Sequence, residues 1–198
     1  MNGLDRRHRT YIAFVRGWIA LVSVFFIFAT NSAQADAPAP DTSTAKYEVR
    51  FMEEMIDHHA MAVSMGKICL AKAVHQELRT LCENIISSQQ QQIMIMQQWL
   101  SQWYGIPNYQ PQMNPGQQQM MEKLSMLNNS EFEIEFMTGM IRHHKKAIVK
   151  GSQCIDRAYH EALQDLCTSI VTAQLAEIQQ MQQWLCTWYG ICRSRGSV

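Results

Sequence analysis

The chain has 198 residues, with 17 basic and 17 acidic side chains, 47% apolar residues, 14 methionines and six cysteines. That length and apolar content suffice for one compact domain with a real core. The balanced charge, with no Lys/Arg cluster, argues against a nucleic-acid or anionic-membrane partner.

Arg6, Arg7 and Arg9 precede an apolar run from Trp18 to Ala29 and the small-residue pattern Ala33-Gln34-Ala35. This is the form of a secretory signal peptide spanning residues 1–35, cleaved before Asp36. The run is short for a membrane span and Pro38 and Pro40 follow soon after, so a retained anchor is the weaker alternative. Cleavage removes four basic side chains and one acidic one, leaving a mildly acidic protein. The expected location is the periplasm or the cell exterior, free of the membrane. All six cysteines lie after the leader, and in an oxidising compartment an even number favours disulfides over thiolate ligands.

Residues 36–45 are rich in Ala, Pro, Thr and Ser and read as a flexible lead-in to a bundle over 46–198. From Tyr47 the chain repeats itself. Residues 47–106 align without gaps on 132–191, pairing Met52 with Met137, Met55 with Met140, His58 with His143, His59 with His144, Cys69 with Cys154, His75 with His160 and Trp103-Tyr-Gly-Ile with Trp188-Tyr-Gly-Ile. Within a unit, apolar residues recur at helical spacing: Met52, Met55, Ile56, His59, Ala62, Val63, Gly66 and Leu70 form one stripe, and Leu78 to Trp103 another. Gly105 and Gly190, each followed by Ile, mark the helix ends, and Ser130-Glu-Phe-Glu133 fits a capping box for the second unit.

The cysteines place the break within each unit. Cys69 and Cys82 would stand roughly 20 Å apart on a continuous helix, beyond disulfide reach. A reversal near His75 brings them level on antiparallel helices, and Cys154 and Cys167 repeat this around His160. Cys186 and Cys192 remain to tie down the tail, a pairing less fixed by spacing because six cysteines allow several connectivities. The Pro-rich segment from Pro107 to Pro115 opens a crossover over 107–131, with a short helix expected from Gln117 to Leu127. Two hairpins joined by a long crossover give an all-α, ferritin-like four-helix bundle.

The chemistry lies in Met52-x-x-Met55-x-x-His58-His59-x-Met61 and its copy from Met137 to Lys146. Residues three and four apart share a helical face, so Met55 lies beside His58 and His59, and Met140 beside His143 and His144. Thioether sulfur is a poor ligand for hard cations and a good one for Cu(I), with imidazole a common partner for copper. The candidate ligands are Met52, Met55, His58, His59, Met61, Met65, Met137, Met140, His143 and His144. Packing alone is the bland account of Met52, Met96, Met137 and Met181. Met61 and Met65 differ, because helical geometry puts them with His58 on an outer stripe where a thioether gains little from packing. In the second unit they become Lys146 and Lys150, so the first unit is expected to hold more metal. Neutral imidazole is needed for ligation, so binding is expected to weaken below about pH 6. His75 and His160, at the turns, are weaker candidates whose alternative role is to satisfy helix-end backbone groups.

A di-iron or di-manganese oxidase would use the same bundle but needs Glu-x-x-His pairs. Here Met55 and Met140 stand three residues before His58 and His143, and Lys72 and Arg157 before His75 and His160. A purely structural or protein-interaction bundle is the other alternative, with the Gln-rich run from Ser87 to Gln92 read as a polar face.

The pattern Phe-Met-x-x-Met-Ile-x-His-His-x-x-Ala, from Phe51 to Ala62 and from Phe136 to Ala147, resembles the signature of the family catalogued as domain of unknown function 305. The resemblance covers essentially all of the chain after the leader. It implies a ferritin-like bundle in the periplasm or outside the cell that binds Cu(I) and supports copper resistance. The residues themselves lead to the expectation of a non-enzymatic copper-binding bundle, with copper ions as its partner and an exporter or sensor as a candidate recipient.

Overall fold

The computed structural model describes residues 37–192; the leader over 1–35 and its cleavage site lie outside the described residues. Five helices follow in order: α1 Thr42–Lys72, α2 Gln76–Tyr104, α3 Pro115–Met126, α4 Asn129–Arg157 and α5 Glu161–Tyr189. The four long ones form two antiparallel hairpins, α1 with α2 and α4 with α5, which meet along α1 and α4. Among the described residues there is no strand, and no helix is long and apolar enough to cross a membrane.

The chain reverses at His75 and His160, each the residue before a helix start. Disulfides Cys69–Cys82 and Cys154–Cys167 clamp the two hairpins, with Cα atoms 6.2 and 6.1 Å apart, and Cys186–Cys192 closes the tail. Gly105 and Gly190 end α2 and α5 at φ of 63° and 67°, the left-handed conformation that glycine adopts without steric cost.

The lead-in is shorter than its composition suggests. Asp41 accepts a hydrogen bond from the Thr44 N–H at 2.8 Å and caps α1 at Thr42. Upstream, the Ala37 carbonyl accepts from His160 Nε2 at 2.9 Å. The crossover is likewise held: Asp57 accepts from Tyr109 Oη and from the Gln112 N–H. α3 begins with Pro115 at its first position, and Asn114 and Gln117 cap each other there.

The expected capping box at Ser130 does not form. α4 starts earlier, with Asn128 before it, and Glu133 is fully buried. It accepts from the Val74 and His75 N–H groups, from His75 Nδ1 at 2.6 Å and from Tyr189 Oη. Glu48 does the same for the other hairpin, accepting from the Tyr159 and His160 N–H groups at 2.6 and 3.0 Å, from His160 Nδ1 at 2.6 Å and from Tyr104 Oη at 2.5 Å. Each unit therefore lends a carboxylate that satisfies the backbone donors at the other unit's turn.

Candidate metal centre

The histidine pairs meet where α1 crosses α4. His58 and His143 stack with ring centroids 3.5 Å apart, flanked by His59 and His144, whose rings lie 6.2 and 6.1 Å from them. His58 Nε2 is 3.2 Å from the His143 carbonyl oxygen, His59 Nε2 is 2.7 Å from Gln92 Oε1, and His144 Nε2 is 2.5 Å from Glu177 Oε2. Each partner is an acceptor, so each Nε2 carries a proton. The Nδ1 atoms of His58, His59 and His144 are buried without a partner, as are both ring nitrogens of His143. A buried polar atom left unpaired costs about 1–3 kcal/mol, and here five such ring nitrogens lie in one layer.

Burial, reinforced by neighbouring imidazoles, lowers the His58 pKa to about 3. Burial lowers that of His59 to about 4, against the opposing hydrogen bond to Gln92. His143 is pushed well below its ordinary value, first by burial and then by the charge of His58. Burial thus favours the neutral form of these three rings below the usual histidine range.

The thioethers form two layers on either side of the histidines. Met61, Met65, Met137 and Met140 share one apolar cluster, and Met52 and Met55 belong to the other. Met61 and Met65 are not on an exposed stripe: they are only 7% and 1% exposed. α1 is covered on a second side by α4 and on a third by α3, whose Leu124 joins their cluster. Gln117 on α3 reaches Met61 Sδ at 3.3 Å. The cluster that holds them takes two methionines from each unit, Met61 and Met65 with Met137 and Met140.

Four polar side chains beside the histidine layer carry no signal in a single helical pattern. Gln92 and Glu177 orient His59 and His144, and the amides of Gln89 and Gln174, one turn away, are buried with no partner for nitrogen or oxygen. The Gln-rich run is thus partly interior, and its signal was the recurrence of Gln89 and Gln92 as Gln174 and Glu177. His75 and His160 are not brought into the site. Their Nδ1 atoms hold Glu133 and Glu48, and their rings stack on Trp188 and Trp103 at 3.9 and 3.8 Å.

Among the described residues, no three His, Cys, Asp or Glu side chains converge as a metal group. Imidazole nitrogen and, in the adjoining clusters, thioether sulfur are the donors that this region could offer a metal. That donor set fits a soft monovalent ion and lacks the carboxylates of a di-iron centre.

The family described as domain of unknown function DUF305 matches residues 48–185. Among solved structures, CopM in the Cu(I)-bound form is 34% identical, covering 72% of this chain and 98% of that one, with a TM-score of 0.65. CopM in the Cu(II)-bound form is also 34% identical, covering 72% and 97%, with a TM-score of 0.66. A DUF305 fragment from Deinococcus radiodurans is 27% identical over 75% of this chain and 97% of that one, with a TM-score of 0.63. No curated protein matches the chain.

Proposed function

This chain belongs to the DUF305 family, and we propose that it is an exported, non-enzymatic protein that sequesters Cu(I) through histidine and methionine and so supports copper resistance. The observation that carries this reading is the layer of four buried imidazoles whose Nδ1 atoms have no hydrogen-bond partner, set between two layers of methionine sulfur. His58, His59, His143 and His144 supply nitrogen. Met52, Met55, Met61, Met65, Met137 and Met140 supply sulfur. The fit is chemical: neutral imidazole and thioether both suit Cu(I), and neither needs to lose a proton on binding at neutral pH. The CopM structures in copper-bound forms support the choice of metal. The leader pattern and the three disulfides support a periplasmic or extracellular address.

Bound copper would supply the positive charge that these nitrogens face, and the protein's part is to keep them unprotonated and dry. Buried among apolar residues, the ion is withheld from oxygen and from thiols, and transfer to an exporter or sensor would require the bundle to open locally. Copper tolerance tests the role. A strain lacking this protein should grow poorly in excess copper, with growth restored by the unmodified gene and not by one carrying asparagine at all four histidines. Full rescue by that variant would refute sequestration at this layer.

A further inference from the structure

The duplication leaves one groove filled and its counterpart open. α3 lies where the C-terminal half of α1 meets the N-terminal half of α4. Leu124 packs in the cluster of Met65, Phe132 and Phe136, Lys72 Nζ donates to the Leu127 carbonyl at 2.9 Å, and Lys123 pairs with Glu135 at 3.2 Å. The two units are related by an offset of 85 residues, the separation of His58 and His143. Applying that offset carries this groove onto the one between the N-terminal half of α1 and the C-terminal half of α4. There Tyr47 stands for Phe132, Phe51 for Phe136, Lys150 for Met65 and Arg157 for Lys72.

The second groove is an open cavity of about 680 Å³ lined by these residues, and α3, the helix that fills the first, lies on the other side. Its charge is inverted where α3 makes its ion pair: Lys46 and Arg50 replace Glu131 and Glu135. Lys150 is already paired with Glu54 at 2.5 Å, and Arg157 lies over the Tyr47 ring at 4.0 Å. Lys46 and Arg50 are exposed.

We propose that this groove is the docking surface for an amphipathic helix of another protein, about three turns long. Its apolar edge lies against Tyr47 and Phe51, and a carboxylate at the position of Lys123 meets Arg50. The filled groove supplies the template for shape, and the charge inversion sets the sign of the partner. The inference does not rest on copper binding.

The test uses a fluorescent peptide with the sequence of residues 114–128, stapled on its solvent face to hold it helical, in two forms: unchanged and carrying Lys123→Glu. The full chain should bind the Lys123→Glu peptide saturably, with a Kd of roughly 10–100 μM, and the unchanged peptide at least tenfold more weakly. Arg50→Glu should reverse that preference while leaving the helical circular-dichroism signal and the urea-unfolding midpoint unchanged, which shows the variant to be folded. Absence of saturable binding, or equal binding of both peptides to both proteins, overturns the proposal. Self-association abolished by Arg50→Glu would assign the groove to a second copy and overturn this choice of partner.

Discussion

Lowering the pH from 7 to 5 perturbs the centre without changing a residue. His58 and His59 have an ordinary pKa of 6.5 and folded values of about 3 and about 4. Between those limits the unfolded chain takes up protons that the native layer refuses. Stability is therefore fully present above about pH 6.5 and is lost as pH falls toward 4. At pH 5 each imidazole is 1.5 units below its unfolded value, which amounts to about 2 kcal/mol, or about 4 kcal/mol for the two. His143 acts in the same direction. Glu133 does not confuse this window. Burial works to raise its pKa, but hydrogen bonds from Tyr189, His75 and Val74 lower it on balance, so its contribution is lost only below about pH 4.5, the usual range for glutamate. The assay is urea unfolding of the copper-free protein at pH 7, 6 and 5, followed by tryptophan fluorescence. The unfolding free energy should drop by at least about 4 kcal/mol, and the pH slope should become shallower, though not vanish, when His58 and His59 are both asparagine. A free energy constant to within about 1 kcal/mol from pH 7 to 5 would refute the buried neutral layer.

Glu48→Ala strands the Tyr159 and His160 N–H groups, His160 Nδ1 and Tyr104 Oη; it should cost about 3–5 kcal/mol in urea unfolding, with Glu133→Ala close to it by the repeat symmetry. Glu177→Gln removes the carboxylate that strengthens His144 as a donor and should weaken the tightest copper step about tenfold in a chelator titration, whereas Gln92→Glu should strengthen binding. Gln89→Leu and Gln174→Leu replace unpartnered buried amides by an apolar group of similar size. Each should raise the copper-free unfolding free energy by about 1–2 kcal/mol.

The hairpins were legible because two local signals agreed, cysteine spacing and the glycines at 105 and 190, and because the second unit restated both. The reciprocal clamps were not, since Glu48 and His160 are 112 residues apart and only the recurrence of Glu, His and Tyr at matched positions hinted at them. Met61 and Met65 were misplaced for a different reason. A helical projection measures angle from one core centre, but α1 is packed by α2, α4 and α3 at once, so little of its circumference faces solvent. The histidines and methionines are readable as candidate donors because their chemistry is written in residue type. That His58 and His143 stack across the two units depends on how α1 crosses α4, which no single-helix pattern encodes.

The most direct test of copper sequestration is an anaerobic titration of the protein against a chromogenic Cu(I) chelator. Two variants accompany it: one with asparagine at His58, His59, His143 and His144, the other with leucine at Met61, Met65, Met137 and Met140. The unmodified protein should take Cu(I) from the chelator, and each variant should bind at least tenfold more weakly. Failure of the unmodified protein to compete, or equal affinity in all three, would contradict the account.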